Sequence, residues 1–353
     1  MASFPDTGKI QNDFYKELIF PFCGAQRPEV KIGPAYGVDV AVIDLPGGMA
    51  LALTSDPLSL IPSLGLRESA WLSVQLMAND MSTTGFAAMY AQFVLNLPPT
   101  LSTNDFKTYW GYLHEFCEQA GIAITGGHTG KILGQHSTVS GGGTMLTMAP
   151  AKNILTSKGA SPGDVLIVTK ECALLSTAIL ARSFPQTFMR ALGGELHKQA
   201  CDNFYETSAV EAGVTAGCFH RQTGSVTAMH DVTEGGVLGA VFELAHASEC
   251  GVTVKVQDIP VGVAQQRVCQ VVGIDPYYSV GAGAMLITVK PEAADGLTDR
   301  LTEAGIKATP IGTITGLSEG RHIIRDEKKY PLEHPGVDPY WNAFFDALNK
   351  GWK

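Results

Sequence analysis

Hydrophobic and polar positions alternate with two different periods along the chain, and each period predicts a different kind of element. In the first half, apolar runs bounded by Pro, Gly and Asp predict strands over 35–45, 49–54, 86–97 and 139–148. Apolar residues at helical intervals predict helices over 10–22, 67–80 and 104–120. The first two strands are separated by a short Pro-Gly-Gly turn, so we expect them to form a hairpin.

The second half of the chain shows the same mixture of periods. Apolar runs predict strands over 164–169, 226–229, 252–256, 280–289 and 307–314. Helical spacing predicts helices over 173–183, 195–217 and 291–304, and a further helix that begins after Gly236. The tail is polar and then aromatic, and we expect it to pack on the body as a helix. Because both halves mix strands and helices, the predicted class is α/β or α+β with two domains.

A polar connector at 150–162, which contains Pro, Gly and Lys residues, separates the two halves. The connector and the element pattern divide the chain into four parts. These parts are a helical N-terminal extension over 1–30, a first domain over 31–150, a second domain over 160–316 and a C-terminal tail over 317–353.

Composition and charge exclude several classes of protein. The chain has 353 residues, of which 45% are hydrophobic, and its net charge of −9 argues against a nucleic-acid-binding surface. No apolar stretch approaches the roughly 18–20 residues of a membrane span, and the N-terminus has no signal-peptide pattern. The 7 cysteines lack paired spacing, which is typical of reduced thiols in the cytoplasm. We therefore expect a cytoplasmic protein that binds neither nucleic acid nor membrane.

The segment 226–245 carries the strongest local signal. An apolar strand ends in His230-Asp231, Thr233 follows, and Gly235-Gly236 opens a helix. The N–H groups at such a corner point outward and the helix dipole favours negative charge, so the corner is typical of a phosphate site. A carboxylate beside phosphate is repulsive unless a cation lies between them. The segment therefore predicts a site for Mg²⁺ and phosphate.

Four aspartates stand at or near the ends of apolar strands or helices, namely Asp39, Asp56, Asp80 and Asp231. Asp80 is the most informative, because a carboxylate at the C-terminal end of a helix is disfavoured by about 0.3–1 kcal/mol unless a cation compensates. Hard oxygen ligands suit Mg²⁺. For any one of the four, a solvated aspartate in a turn is the alternative; for all four together, that alternative is much weaker.

Gly126-Gly127-His128-Thr129 is a second candidate phosphate loop, with a plain turn as the alternative. His128 is open to three interpretations: a ligand, a phosphate donor or an ordinary hydrogen-bonded histidine. Lys131 could neutralise a transferred phosphate, or it could simply be solvated. The chain has no GxxxxGK[ST] loop, no GxGxxG fingerprint and no GxSxG elbow.

In order, these motifs resemble the superfamily of aminoimidazole ribonucleotide (AIR) synthase, thiamine-monophosphate kinase, selenophosphate synthetase and the hydrogenase-maturation protein HypE. The resemblance runs from about residue 30 to 316 and is greatest to the HypE-like branch. The motifs that carry it are GVDVAVID, TSDP, the Asn-Asp pair in MAND, GGHT, SPGDVLIVTK and HDVTEGG.

The resemblance implies a PurM-like two-domain fold, with an N-terminal domain whose strands form a β-barrel across a homodimer and a C-terminal α+β domain. It implies that ATP binds between the domains and near the dimer interface, and that its γ-phosphoryl group activates an oxygen of the substrate. The metal ligands would be Asp39, Asp56, Asp80 and Asp231. The residues around the nucleotide phosphates would be Asn79, Gly126, Gly127, Thr129, Thr233, Gly235 and Gly236, besides Asp39 and Asp231. The candidate catalytic residues are Asp56, Asp80, His128 and Lys131.

The chain also departs from the family pattern. HypE ends in a cysteine that carries the carbamoyl group, whereas this sequence ends in Asn-Lys-Gly-Trp-Lys and its last cysteine is Cys269. Some relatives have an acidic residue where this chain has His128. We therefore expect an ATP- and Mg²⁺-dependent, HypE-like enzyme that phosphorylates a carbonyl, amide or carboxyl oxygen of a small molecule or a modified protein. The alternatives are an AIR synthase-like cyclo-ligase, a thiamine-phosphate kinase, or a nucleotide-binding maturation factor with little turnover.

Overall fold

Two β-sheets organise the chain, and each belongs to one half of it. The computed structural model describes residues 8–10, 12–58, 60–134 and 140–353. The first sheet has the strand order β1-β2-β3-β6-β4-β5. Its strands are β1 (Val30–Ile32), β2 (Ala41–Leu45), β3 (Met49–Pro57), β4 (Tyr90–Leu97), β5 (Ala123–Lys131) and β6 (Ser140–Pro150). All neighbours are antiparallel except β4 and β5, and the predicted hairpin of β2 and β3 is confirmed.

One face of the first sheet is covered by α2 (Leu66–Ser82) and α3 (Thr103–Gln119). Phe93 of β4 and Met77 of α2 are buried together in this layer. The opposite face, which we call the open face, carries Ser55, Val94, Thr144 and Met148 on β3, β4 and β6. Val94 and Met148 are both 42% exposed on it. The alternation of buried and exposed residues along β4 follows directly from this one-sided cover.

The N-terminal extension is helical where it is described. It contains the short helix α1 (Asn12–Phe14), a π turn over Tyr15–Ile19 and a 3₁₀ turn over Phe20–Phe22, in agreement with the predicted helix. Residues 1–7 and 11 of the extension, and residue 139 of the predicted fourth strand, lie outside the described residues.

The second sheet has the strand order β13-β12-β9-β11-β7-β10-β8. Its strands are β7 (Val165–Thr169), β8 (Val226–Asp231), β9 (Gly251–Lys255), β10 (Met285–Val289), β11 (Ala308–Thr315), β12 (Arg321–Arg325) and β13 (Lys328–Pro331). Neighbours are antiparallel except β12 and β9. The fold is thus a two-domain mixture of strands and helices, and the predicted class is confirmed.

Helices pack on both faces of the second sheet. The helices of this half are α4 (Leu174–Ser183), α5 (Pro185–Leu192), α6 (Gly194–Asp202), α7 (Val210–Thr223), α8 (Gly236–Ala247), α9 (Val263–Val272), α10 (Ala294–Glu303) and α11 (Pro339–Asn349). Leu166 of β7 is buried in the cluster that includes α8, whereas its neighbour Ile167 is buried in the cluster that includes α7 and α10. Successive residues of β7 point to opposite faces of the sheet, and each face is covered by helices. Both faces of β7 are therefore hydrophobic.

One helix prediction for this half is wrong, and the prediction of a helical tail holds only for the aromatic end of the tail. The helix expected over 195–217 is divided into α6, a 3₁₀ turn over Asn203–Thr207 and α7. The tail expected to be helical contributes β12 and β13 to the second sheet before it forms α11, because β12 pairs with β9 and extends the sheet. Among the described residues, no helix is both long and apolar enough to cross a membrane.

Candidate metal and nucleotide site

The four predicted aspartates converge where the two domains meet. Asp39 precedes β2, Asp56 lies near the end of β3, Asp80 lies in the last turn of α2, and Asp231 ends β8. Asp80 is close enough to the other three for their charges to act on its carboxyl group. Three of the carboxylates come from the first domain and one from the second, so the site exists only when the domains are packed together.

Asp231 offers the clearest metal ligand. Its side chain is buried, and its Oδ2 atom has no hydrogen-bond partner among the described residues. Ligand atoms of Asp39, His230 and Asp231 all lie within 4.8 Å of one another. A buried carboxylate oxygen without a donor is costly, and a coordinated cation would satisfy it. The donor set of hard carboxylate oxygens fits Mg²⁺.

Burial raises the pKa values of three of these carboxyl groups, those of Asp56, Asp80 and Asp231. Desolvation and the charge of Asp39 raise the pKa of Asp231 to about 7. Desolvation raises the pKa of Asp56 to about 6. Desolvation, with the charges of Asp231, Asp56 and Asp39, also raises the pKa of Asp80 well above its usual value, although Thr54 Oγ1 donates a 2.7 Å hydrogen bond to this carboxylate. Without a cation the cluster therefore holds extra protons near neutral pH.

His230 lies between two carboxylates next to the cluster. Its Nδ1 is 2.8 Å from the Asp39 carboxylate and its Nε2 is 3.1 Å from Glu243 Oε2. Burial alone would lower the pKa of His230, but Asp39 and Glu243 raise it well above its usual value. A protonated ring can donate to both carboxylates, so His230 links Asp39 of the first domain to Glu243 of the second.

Lys9 and Glu243 also lie at the site, although neither was among the residues predicted from the sequence. Lys9 Nζ lies 3.4 Å from Glu243 Oε1, and the Lys9 backbone N–H donates a 2.9 Å hydrogen bond to Glu234. Burial alone would lower the pKa of Lys9. The nearby carboxylates raise it above its usual value, and they belong to Glu243, Asp39, Asp231 and Asp80. The only local signal was a charged Glu243 within the apolar helix α8; the approach of Lys9 depends on tertiary structure.

The glycine corner at the start of α8 is closed in this structure. The Gly235 N–H donates a 2.7 Å hydrogen bond to Asp338 Oδ2, and Asp338 also caps α11 by accepting from the Tyr340 N–H. Gly235 and Gly236 are buried at φ values of 88° and 62°. The corner thus binds a carboxylate, as its dipole favours, but the anion comes from the chain itself. Phosphate binding by Thr233, Gly235 and Gly236 stays a prediction.

The prediction of a second phosphate loop at 126–129 is wrong in its local structure, because these residues lie within strand β5 and not in a turn. Gly127 is opposite Phe93 of β4, and a Cβ atom on Gly127 would lie 1.9 Å from the Phe93 carbonyl oxygen. The glycine therefore permits close strand pairing. Across the sheet, Gly127, Phe93, Gly143 and Asp56 form one row over four strands, so Gly127 is about 14 Å from Asp56.

His128 and Lys131 are not brought to the acidic cluster either. His128 is opposite Val94 and therefore lies on the open face, whereas Asp56 shares the covered face with Thr54. Lys131 Nζ donates hydrogen bonds to the carbonyls of Pro99 and Leu101 and is exposed. Their assignment as catalytic residues is not supported within one chain.

Asn79 is fully buried and engaged elsewhere. Its Nδ2 donates to the Thr207 carbonyl at 2.9 Å, and its Oδ1 accepts from the Ala209 N–H at 2.7 Å. With no exposed surface, Asn79 does not face a nucleotide in this structure. Both contacts join the first domain to the second, and the expected contact of Asn79 with phosphate stays a prediction.

Comparison with known proteins decides the family. The model of the AIR synthase related protein N-terminal domain matches residues 37–149, and the model of its C-terminal domain matches residues 161–325. The chain belongs to the AIR synthase related family. The C-terminal match includes β12, in agreement with the place of this strand in the second sheet.

This AIR synthase related protein is similar to several characterised relatives. A selenide, water dikinase of Methanococcus maripaludis is 28% identical over 82% of this chain and 87% of the relative. The carbamoyl dehydratase HypE of Cupriavidus necator is 24% identical over 83% of this chain and 81% of the relative.

Solved structures confirm the PurM-like fold. Escherichia coli HypE matches with a TM-score of 0.70 at 23% identity, over 89% of this chain and 94% of that structure. A HypE in complex with ATP matches with a TM-score of 0.65 at 17% identity, over 95% of this chain and 97% of that structure.

Proposed function

We propose that this AIR synthase related protein is an ATP- and Mg²⁺-dependent enzyme. It would transfer the γ-phosphoryl group to a carbonyl, amide or carboxyl oxygen of a small molecule or a modified protein. One observation carries the proposal: carboxylates of Asp39 and Asp231, from the two domains, have ligand atoms within 4.8 Å of each other, and the buried Asp231 Oδ2 has no partner among the described residues. The charges of Asp39, Asp56 and Asp231 also act on the carboxyl group of Asp80.

The electrostatics of the cluster support a cation between protein and phosphates. Clustered carboxylates with pKa values raised to about 6 and about 7 are destabilising when ionised, and Mg²⁺ reverses this penalty. Mg²⁺ in proteins is usually held by a few carboxylates together with substrate phosphates. In phosphoryl transfer, positioning and charge neutralisation supply most of the catalysis.

The relatives support the choice of nucleotide and reaction class. A selenide, water dikinase and a carbamoyl dehydratase are among the matches, and one HypE structure contains ATP. In this proposal, Asp39, Asp56, Asp80 and Asp231 hold the metal. Lys9, whose ammonium group is near the cluster, supplies the positive charge that was expected from Lys131.

We also propose that the open face of the first sheet packs against a second copy of the chain. Its apolar side chains Val94 and Met148 are 42% exposed in the single chain. Replacing Val94 with Asp should shift the protein from dimer to monomer in sedimentation analysis. The control is Leu317→Asp, because Leu317 is 59% exposed on the second domain. Equal dissociation of both variants, or a monomeric unmodified protein, contradicts this interface.

The enzyme proposal is tested by ADP release from Mg-ATP, with and without a panel of carbonyl, amide and carboxyl compounds. We expect substrate-dependent ADP release that Asp80→Asn abolishes and that Lys131→Ala leaves unchanged. Unchanged turnover in Asp80→Asn contradicts the metal site. Thermal stabilisation by Mg-ATP without turnover on any substrate would favour a nucleotide-binding assembly factor instead.

A further inference from the structure

We infer that Asn79 is a positioning residue that sets the distance between Asp80 and Asp231 by holding the turn 206–209 of the second domain. The inference rests on the proposed Mg²⁺ site. It assigns to Asn79 a role through Asp80, its neighbour in the chain, and not a contact with nucleotide.

The contact of Asn79 with this turn uses both halves of its amide. Nδ2 donates to the Thr207 carbonyl at 2.9 Å and Oδ1 accepts from the Ala209 N–H at 2.7 Å. This two-point contact fixes the rotation as well as the position of the last turn of α2. Asn79 and Thr207 are both fully buried, so water does not compete for these bonds.

A lysine of the second domain holds the same turn. Lys170 Nζ donates hydrogen bonds to the carbonyls of Glu206 and Ser208 at 2.7 and 2.8 Å. Lys170 does so from a left-handed backbone conformation, with φ of 57°. Such a conformation is uncommon for a residue other than glycine and persists only where the surroundings enforce it. The turn is therefore held rigidly within the second domain, and its hydrogen bonds to Asn79 position the end of α2.

Close backbone packing between α2 and α7 adds to this registration. A Cβ atom on Gly213 of α7 would lie 2.3 Å from the Ser82 carbonyl oxygen, and one on Gly217 would lie 2.2 Å from the Gly85 carbonyl oxygen. The two backbones are thus in direct contact just beyond Asn79. Since Asp80 belongs to α2 and Asp231 to the second domain, the separation of these carboxylates is set at this contact.

The metal makes this separation important. Mg²⁺ requires near-ideal octahedral geometry with ligands at about 2.0–2.1 Å. A small displacement of α2 relative to β8 therefore weakens binding even when the fold survives. Removing groups that orient metal ligands commonly costs about 10–100-fold in metal affinity.

The test is direct binding of Mn²⁺, an EPR-visible substitute for Mg²⁺, to the full chain without nucleotide. We expect Asn79→Ala to raise the dissociation constant at least about tenfold. The matched control is Ser73→Ala. Ser73 lies on α2, as Asn79 does, but its buried 2.9 Å hydrogen bond to Tyr109 of α3 stays within the first domain. We expect Ser73→Ala to lower the melting temperature with a dissociation constant within twofold of the unmodified protein.

A second variant perturbs the same turn without changing Asn79. Lys170→Met leaves Asn79 in place and removes both hydrogen bonds that the Lys170 ammonium group donates to the turn, so it tests the inference even if Asn79→Ala does not fold. We expect a several-fold increase in its dissociation constant. Unchanged Mn²⁺ affinity in Asn79→Ala or in Lys170→Met, or equal weakening in Ser73→Ala, overturns the inference. If the unmodified protein binds no Mn²⁺, the proposed metal site itself fails.

Discussion

Replacing Asp231 with Asn should change how the stability of the protein depends on pH in the absence of metal. Burial and the charge of Asp39 raise the pKa of Asp231 to about 7 in the folded protein, from an ordinary value of 3.8. The folded state therefore retains this proton more strongly than the unfolded state. The resulting stabilisation is complete below the ordinary pKa and is lost as the pH rises through about 7.

The size of the effect follows from the two pKa values. Between about pH 5 and about pH 7.5, a single group that titrates at about 7 when folded and 3.8 when unfolded loses about 2.5 kcal/mol of stabilisation. Part of this change is shared with Asp56 and Asp80, because their carboxyl groups interact with the same charges. The figure is therefore an upper value for one residue.

Buried histidines also make the stability of the protein depend on pH, so the effect of Asp231 is measured as a difference between two proteins. The pKa values of His246 and His334 are lowered by burial, so these histidines make the protein more stable as the pH rises towards 6.5. Comparing the unmodified protein with Asp231→Asn cancels their contribution.

The assay is urea unfolding of both proteins at several pH values in EDTA. We expect the stability advantage of Asp231→Asn to grow by up to about 2.5 kcal/mol from about pH 5 to about pH 7.5. Adding Mg²⁺ at a hundredfold excess over its dissociation constant should stabilise only the unmodified protein, by about 2.7 kcal/mol. A difference in unfolding free energy between the two proteins that does not change with pH would contradict a raised pKa of Asp231 in the folded protein.

Two further substitutions test the hydrogen bond between Thr54 and Asp80 and the close pairing of β4 with β5. Thr54→Val removes the 2.7 Å hydrogen bond to Asp80, and calorimetry should show about tenfold weaker Mg²⁺ binding; equal affinity would remove Asp80 from the ligand set. Gly127→Ala should destabilise the fold by at least about 3 kcal/mol, because its Cβ atom would lie 1.9 Å from the Phe93 carbonyl oxygen. The control Gly126→Ala, whose nearest neighbour is 4.0 Å away, should change the unfolding free energy by less than about 1 kcal/mol, and similar losses in both variants would contradict the strand assignment.

Much of the fold was predictable because apolar periodicity is a local property of the sequence. The helices α2 and α3 follow their predicted ranges closely, whereas β2 and β4 begin later than predicted and β1 and β5 were not predicted as strands. The charges of Asp39, Asp56 and Asp231 act on Asp80, in agreement with the prediction that the four aspartates lie together. Their convergence across two domains came from the resemblance to a family and not from spacing.

The parts that could not be predicted depend on tertiary structure. Paired glycines at 126–127 suit either a phosphate loop or close strand pairing, and only the position of β4 decides between them. The break between α6 and α7 occurs where Asn79 of the other domain binds the intervening turn. The carboxylate that occupies the corner of Gly235 comes from Asp338, more than a hundred residues later in the chain.

A crystal structure of the protein with Mg²⁺ and a non-hydrolysable ATP analogue tests directly whether the carboxylates between the two domains hold Mg²⁺. We expect metal density at about 2.0–2.2 Å from Asp231 Oδ2, with further ligands from Asp39, Asp56 or Asp80 and from the phosphates. Density for the phosphates elsewhere, or a carboxylate cluster that remains without metal when the nucleotide is bound, would contradict it.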